Sequence, residues 1–300
     1  MTAFVTCRKS QKSTVLIMQS FRLTILVIIL YGCSGNSEVK RESDWVDHNL
    51  FGNVRTMTSL TYSVNDSLGH VRKKEREGGI GQNLLDRYHL EFNQSGFITE
   101  VNKIINETNT KSLLYYDQNN WQYERKNFDE RDNLKRTIKY EKDASGNHIK
   151  SSVYGAEGQL EKVYTNSYDK KGRKVETVVS YPDSMDRETT LLKYDEVGNL
   201  VEEQRVNPFS EDYISKWEYA DKGRVITEYY YIGDRLISTK VIKEDKNGNV
   251  VEYRYNSSDH SIAFNNRYEY TYDEIGNWTS RIKYQDGIPI ELIERTYVYY

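Results

Sequence analysis

The sequence predicts an all-β protein. The expected form is a long antiparallel meander of repeated β-hairpins, a single twisted sheet curling on itself after a short helical signal segment. Three observations lead there. The chain of 300 residues carries 26 Tyr, 8 Phe and 4 Trp but only 3 Pro, with 37% hydrophobic residues and a mean hydropathy of −0.80. So aromatic a composition is not that of a disordered chain; it suits pleated surfaces that bury a ring and leave its hydroxyl wet. A short turn signature recurs along the chain, and the residues around it alternate in character with no convincing helical period beyond residue 45.

The N-terminus comes first. Leu23–Tyr31, "LTILVIILY", is an apolar run directly behind Arg22. It is too short for a spanning helix of about 20 residues. A basic flank, a short apolar core and small residues at its end describe an export signal. That end, "LYGCSGN" (Leu30–Asn36), resembles a bacterial lipobox, with Gly32 before Cys33. The resemblance implies that residues 1–32 are cleaved and that Cys33 receives a diacylglycerol; Met18 offers an alternative start with a compact leader. Cys7 and Cys33 are the only cysteines, so the mature chain has no disulfide and no cysteine-based metal site. Residues 33–46 read as the lipidated cysteine and a flexible spacer, and 47–300 as the hairpin domain. Ser34 behind the cysteine favours the outer membrane, on either face.

Residues 1–32 contain Arg8, Lys9, Lys12 and Arg22 and no acid, so their removal leaves 38 basic against 45 acidic residues, a formal charge of −7. A mildly acidic chain lacks the electrostatic footprint of a nucleic-acid binder.

Repetition dominates the rest. "YDKKGRKVE" from Tyr168, "YDEVGNLVE" from Tyr194, "YADKGRVIT" from Tyr219 and "YDEIGNWTS" from Tyr272 are clear copies, and "EDKNGNVVE" from Glu244 keeps the Gly-Asn. Clear repeats run from about residue 90 to 300, in steps of 12 or 14, or near 26 where a weak copy intervenes; one strand and one turn take about that length. Asp accepts backbone N–H groups ahead of it, and Gly supplies the positive φ that closes a short hairpin with a bulge. Asp169, Gly172, Asp195, Gly198, Asn199, Gly223, Gly248, Asn249, Asp273, Gly276 and Asn277 are therefore structural turn residues. Asn120 and Asp132 stand where Gly is expected. Around the last copy, Tyr268, Tyr270 and Tyr272 alternate with Arg267, Glu269 and Thr271 as a strand requires. On the order of fifteen strands would share ladders worth roughly 0.2–1 kcal/mol per pair, with terminal strands such as "IELIERTYVYY" as caps or free edges.

The Tyr-Asp-x-x-Gly-Asn series resembles YD repeats of the RHS type over about residues 90–300. The opening "LFGNVRTMTSLTY" (Leu50–Tyr62) and the ending resemble the flanks of short RHS-like lipoproteins of Bacteroidota. Large RHS proteins coil such hairpins into a shell around a toxin. This array is too short for a shell and shows no effector segment, so a toxin-delivery role does not carry over.

Chemistry is sparse. "EDKNGN" (Glu244–Asn249) lacks the alternating acids of a calcium loop and reads as a turn. "GGIGQN" (Gly78–Asn83) lacks the dinucleotide-binding context. Arg72, Lys73, Lys74 and Arg76 read as a solvated hairpin. The five histidines are isolated, and no serine or cysteine nucleophile stands out. No cofactor or metal is expected. Tyr229, Tyr230 and Tyr231 in "EYYYIG", with Trp278, form a possible binding face. The function expected is that of a non-enzymatic, lipid-anchored envelope scaffold that meets a protein partner by its sheet edge or aromatic face. The alternatives are glycan binding and, less favoured, a carboxylate hydrolase.

Overall fold

The computed structural model describes residues 43–67, 70–75, 84–105, 107–206 and 210–300; the leader, Cys33, Arg76 and Gly78–Asn83 lie outside them. One turn of helix, α1 (Asp44–Asp47), precedes the strands. In chain order these are β1 (Val54–Ser67), β2 (His70–Lys73), β3 (Leu84–Phe92), β4 (Ile98–Ile105), β5 (Thr108–Tyr116) and β6 (Gln122–Phe128). Then come β7 (Leu134–Lys142), β8 (His148–Gly155), β9 (Leu160–Tyr168), β10 (Lys174–Ser180), β11 (Arg187–Tyr194) and β12 (Leu200–Val206). The last seven are β13 (Tyr213–Ala220), β14 (Val225–Ile232), β15 (Arg235–Glu244), β16 (Val250–Ser257), β17 (Ala263–Tyr272), β18 (Trp278–Gln285) and β19 (Ile288–Tyr299).

From β3 to β19 each strand pairs antiparallel with the next. β1 completes the circuit, lying between β3 on one side and β19 on the other. β2 pairs only with the end of β1, over Val64–Ser67. Setting β2 aside from the 19-stranded sheet leaves a closed antiparallel barrel of eighteen strands. The all-β meander is there, but the open curling sheet is not. β19, expected as a cap or free edge, is bonded on both sides, because closure pairs the N–H and C=O groups that an edge would expose.

Strands alternate in direction, so every second turn falls at the same end. The near end gathers the turns at 93–97, 117–121, 143–147, 169–173, 195–199, 221–224, 245–249 and 273–277, which gives the 26-residue step its meaning as two strands. The far end holds the remaining connections. The near end also carries residues 43–53, so Asp44 and Trp45, which the sequence places at the end of a flexible spacer, pack against the strands. Asp44 Oδ2 accepts the N–H of Ile98 at 2.7 Å, and Trp45 Nε1 donates to the Val54 carbonyl at 2.9 Å. Trp45 leans so closely on the β3–β4 turn that a Cβ on Gly96, whose φ is +83°, would meet its ring at 2.5 Å.

The main apolar cluster is small. Leu50, Val54, Met57, Leu90, Phe92, Ile98 and Val101 pack at the seam where β1 meets its neighbours, joined by Trp45, Tyr88, Leu114, Tyr297 and Tyr299. Elsewhere the pleat itself shows which way is in. Met57, Ser59, Leu90, Val101, Ser112, Val153, Glu228, Ser238 and Asn266 are all buried. They share one face by register around the ring. No second layer covers that face past β5, so these side chains are crowded by curvature and point into the lumen. A ring of this strand number is wide enough for an aqueous interior.

Candidate functional site

Site chemistry can reside in the turns, on the outer wall or in the lumen, and the turns come first. In the 195–199 turn, Asp195 Oδ1 accepts the N–H groups of Gly198 and Asn199, both at 2.8 Å, while Asn199 Nδ2 donates to Oδ2 at 2.8 Å. Gly198 has φ +102°, and a bulge follows between Lys193 and Tyr194. Asp143, Asp169, Asp245 and Asp273 accept N–H groups in the same manner. In the 169–173 turn, Arg173 Nε takes the asparagine's place at 2.7 Å from Asp169 Oδ2. Gly172, Gly223, Gly248 and Gly276 all have positive φ, as do Asn120 and Asp132 at +58°. These hydrogen bonds hold the Asp143 carboxyl below the usual range, Asn147 being the main cause. Both oxygens of Asp245 are engaged, since Tyr272 and Asn249 reach Oδ2. The "EDKNGN" turn thus spends its acid on its own backbone.

The motif tyrosines Tyr116, Tyr168, Tyr194 and Tyr219, together with Tyr270 and Tyr297, share a duty that the sequence did not disclose. In that order they donate their hydroxyls, at 2.7–2.8 Å, to the carbonyls of Ile98, His148, Lys174, Leu200, Val250 and Trp278. Each accepting carbonyl belongs to the first residue of a strand leaving the preceding near-end turn. Every such tyrosine therefore ties one hairpin to the last. The recurring spacing of 18–20 residues between partners was the signal.

Tyr229, Tyr230, Tyr231 and Trp278 do not form one face. Tyr229 points outward, donating to Glu218 Oε2 at 3.1 Å, and Tyr231 lies outward under the Lys216 ammonium. Tyr230 points inward, stacked on Tyr213 with ring centres 6.3 Å apart and planes at 12°. Trp278, buried, lies on β18 between Tyr270 and the Arg295 guanidinium, which stacks 3.6 Å from its ring centre.

The stacked rings lie on the inner wall. Tyr253, Tyr255 and Phe264 stack on one another across β16 and β17. Burial pushes the Tyr253 and Tyr270 hydroxyls up to about 12, with nearby Glu228 adding to Tyr253 and the charge of Arg281 opposing at Tyr270. Arg295 Nε donates to Ser59 Oγ at 3.0 Å, and Arg281 pairs with Glu291 at 3.0 Å. Arg281 Nε is buried with no hydrogen-bond partner. Burial depresses Lys103, and the Arg125 charge adds to it. On the outer wall, Lys126 pairs with Glu124 at 3.2 Å, Lys193 with Glu202 at 2.7 Å, and Arg254 with Glu252 and Arg267 with Glu269 at short range.

The histidines stay apart. His48 meets Phe92 edge-on at the seam, His89 bonds Thr58, His148 bonds Ser151 and His260 lies beside Asn256. Among the described residues no three His, Cys, Asp or Glu side chains group as a metal site would.

No family model and no curated protein matches the chain. Among solved structures, it is similar to a porin-like protein from Bacteroides uniformis, with 11% identity, 82% of this chain and 96% of the other covered, and a TM-score of 0.44. A porin-like protein from Bacteroides vulgatus gives 8% identity, 83% and 99% coverage and a TM-score of 0.28. A TcdB2-TccC3 structure gives 10% identity over 76% of this chain and 17% of the other, with a TM-score of 0.32. The resemblance to RHS-type YD repeats is accordingly withdrawn. No family model supports it, and the strands close into a barrel instead of running as an open array. Likeness at this level leaves function to the chain's own residues.

Proposed function

We propose that the chain is a non-enzymatic barrel of the cell envelope that stands in water, is held at the outer membrane by lipid on Cys33, and binds a ligand in its lumen. The observation behind this reading is the contrast between its two walls. Both walls carry ion pairs, such as Lys193 with Glu202 outside and Lys240 with Glu228 inside, but the stacked rings of Tyr213 with Tyr230 and of Tyr253 and Tyr255 with Phe264 lie on the inner wall. The scaffold role expected from a free sheet edge loses its basis once β19 is paired, so recognition moves to the interior, and a glycan is the ligand that stacked rings suit.

A second reading, a membrane-spanning pore, is favoured by the eighteen-strand closure. Against it, Arg or Lys on a lipid-facing wall costs about 2–4 kcal/mol each near the midplane. Glu124, Lys126, Lys193, Glu202, Arg254 and Arg267 all occupy that wall. The 7-residue strands β6, β10 and β12 also fall short of the roughly 9–11 residues that a tilted spanning strand needs.

The test is Cys33→Ser. The variant is expected to lose fatty-acid labelling and to purify from the aqueous fraction without detergent. Retention in membranes together with single-channel conductance in planar bilayers would establish the pore instead.

A further inference from the structure

One cavity of about 360 Å³ opens on the wall formed by β4–β7, near the far end. Lys103, Ser112, Arg125 and Asn127 line it. Arg125 is aimed by neutral groups. Its Nε donates to Asn127 Oδ1 at 2.9 Å and its Nη2 to Ser112 Oγ at 3.0 Å, while Ser112 Oγ donates to the same Asn127 oxygen at 2.9 Å. That triangle fixes one edge of the guanidinium and leaves its charge uncompensated. Lys103 stands on the same face with its ammonium 5.0 Å from the Tyr88 ring centre.

Two neighbouring cations are paired, and a third, Lys135, lies near the Asp129 carboxylate. Arg136 pairs with Glu161 at 2.7 Å and Lys111 with Glu100 at 3.5 Å. Among the described residues no carboxylate comes within ion-pair range of Lys103 or Arg125. Asp129 and Glu130 also line the cavity, but the Asp129 carboxylate is taken by the N–H groups of Arg131 and Asn133. Two like charges facing one half-buried space cost stability unless an anion joins them.

We propose that this cavity is an anion site in which Arg125 and Lys103 together hold the carboxylate of an acidic oligosaccharide, a uronate-containing chain. A planar carboxylate matches the guanidinium fork, and the ammonium supplies a second charge. Thr110 offers a hydroxyl to the sugar, and the volume is that of an ordinary small-ligand site. The proposal rests on the reading of the lumen as a binding space and names the ligand's chemistry.

Calorimetric titration of the purified full chain tests it with three probes of equal length: an oligouronate, its neutral methyl ester and a sulfated neutral oligomer. The oligouronate is expected to bind at least about tenfold tighter than the ester, with a preference that fades as salt is raised. Arg125→Gln and Lys103→Gln should each remove that preference, and outward Arg254→Gln should leave it unchanged. Arg125→Lys, which keeps the charge but not the fork, should restore part of it. Equal binding of uronate and ester, or a preference indifferent to Arg125 and Lys103, overturns the site while leaving lumen binding intact. Preference for the sulfated oligomer overturns the carboxylate assignment. Binding of none of the three overturns both readings.

Discussion

The seam and the opposite wall of the barrel are held together by different physics. At the seam, Val54, Met57 and Leu90 are 0% exposed, and Asn277, equally buried, receives the Phe51 N–H at 2.7 Å and donates to the Phe51 carbonyl at 2.8 Å. Across the ring, from residue 156 to 225, no described residue is buried. That wall relies on paired backbone, on tyrosine ties such as Tyr194 to Lys174, and on ion pairs such as Lys193 with Glu202. Surface pairs of this kind contribute little. The comparison teaches that apolar burial is concentrated where the sequence ends must be joined, while regular hairpins need almost none.

Substitutions sharpen that contrast. The largest effect is expected from Met57→Ala or Leu90→Ala, about 2–5 kcal/mol by denaturant unfolding, against less than about 1.5 kcal/mol for Leu192→Ala on the opposite wall. Equal losses would mean that the far wall has a core of its own.

Next is pH. Burial, then the charges of Arg295 and Lys103, lower His48 from 6.5 to about 4. The folded chain thus binds its proton later than the unfolded chain does. The stabilising contribution is complete above pH 6.5 and is lost as pH falls towards 4, by roughly 2–3 kcal/mol. His48→Phe should flatten that part of the stability–pH curve; an unchanged slope would remove His48 as the cause.

The smallest step compares equivalent turn residues. Asn277→Ala should cost about 2–3 kcal/mol because it removes a fully buried amide that bonds the Phe51 backbone twice and the Tyr299 hydroxyl once. Asn199→Ala, at a half-buried turn, should cost at most about 1 kcal/mol. Similar values would show that the seam's asparagine is only another turn residue.

Much of this was legible in the sequence, because turn chemistry is local. Asp195, Gly198 and Asn199 announce a hairpin through φ and hydrogen-bond requirements that no distant residue alters, and Tyr268–Tyr272 announce a strand by alternation. Closure was not legible. The pairing of Met57 with Tyr297 joins residues that share no local pattern. Nor was the direction of each face, since both carry charge and tyrosine; alternation divides the "YYY" run between two faces without saying that Tyr230 is the one turned inward. The cavity was equally hidden, because Lys103, Ser112, Arg125 and Asn127 come together only through the register of two consecutive strand pairs.

The pairing of the first long strand with the last has a temporal consequence. β1 cannot gain its β19 partner until residues 288–299 have been synthesised, so every shorter nascent chain presents two unmatched borders. Contacts across so large a sequence separation form slowly. During that interval both borders stay open, and vulnerability to misassembly is set by the rate at which the chain is completed rather than by the stability of the finished ring.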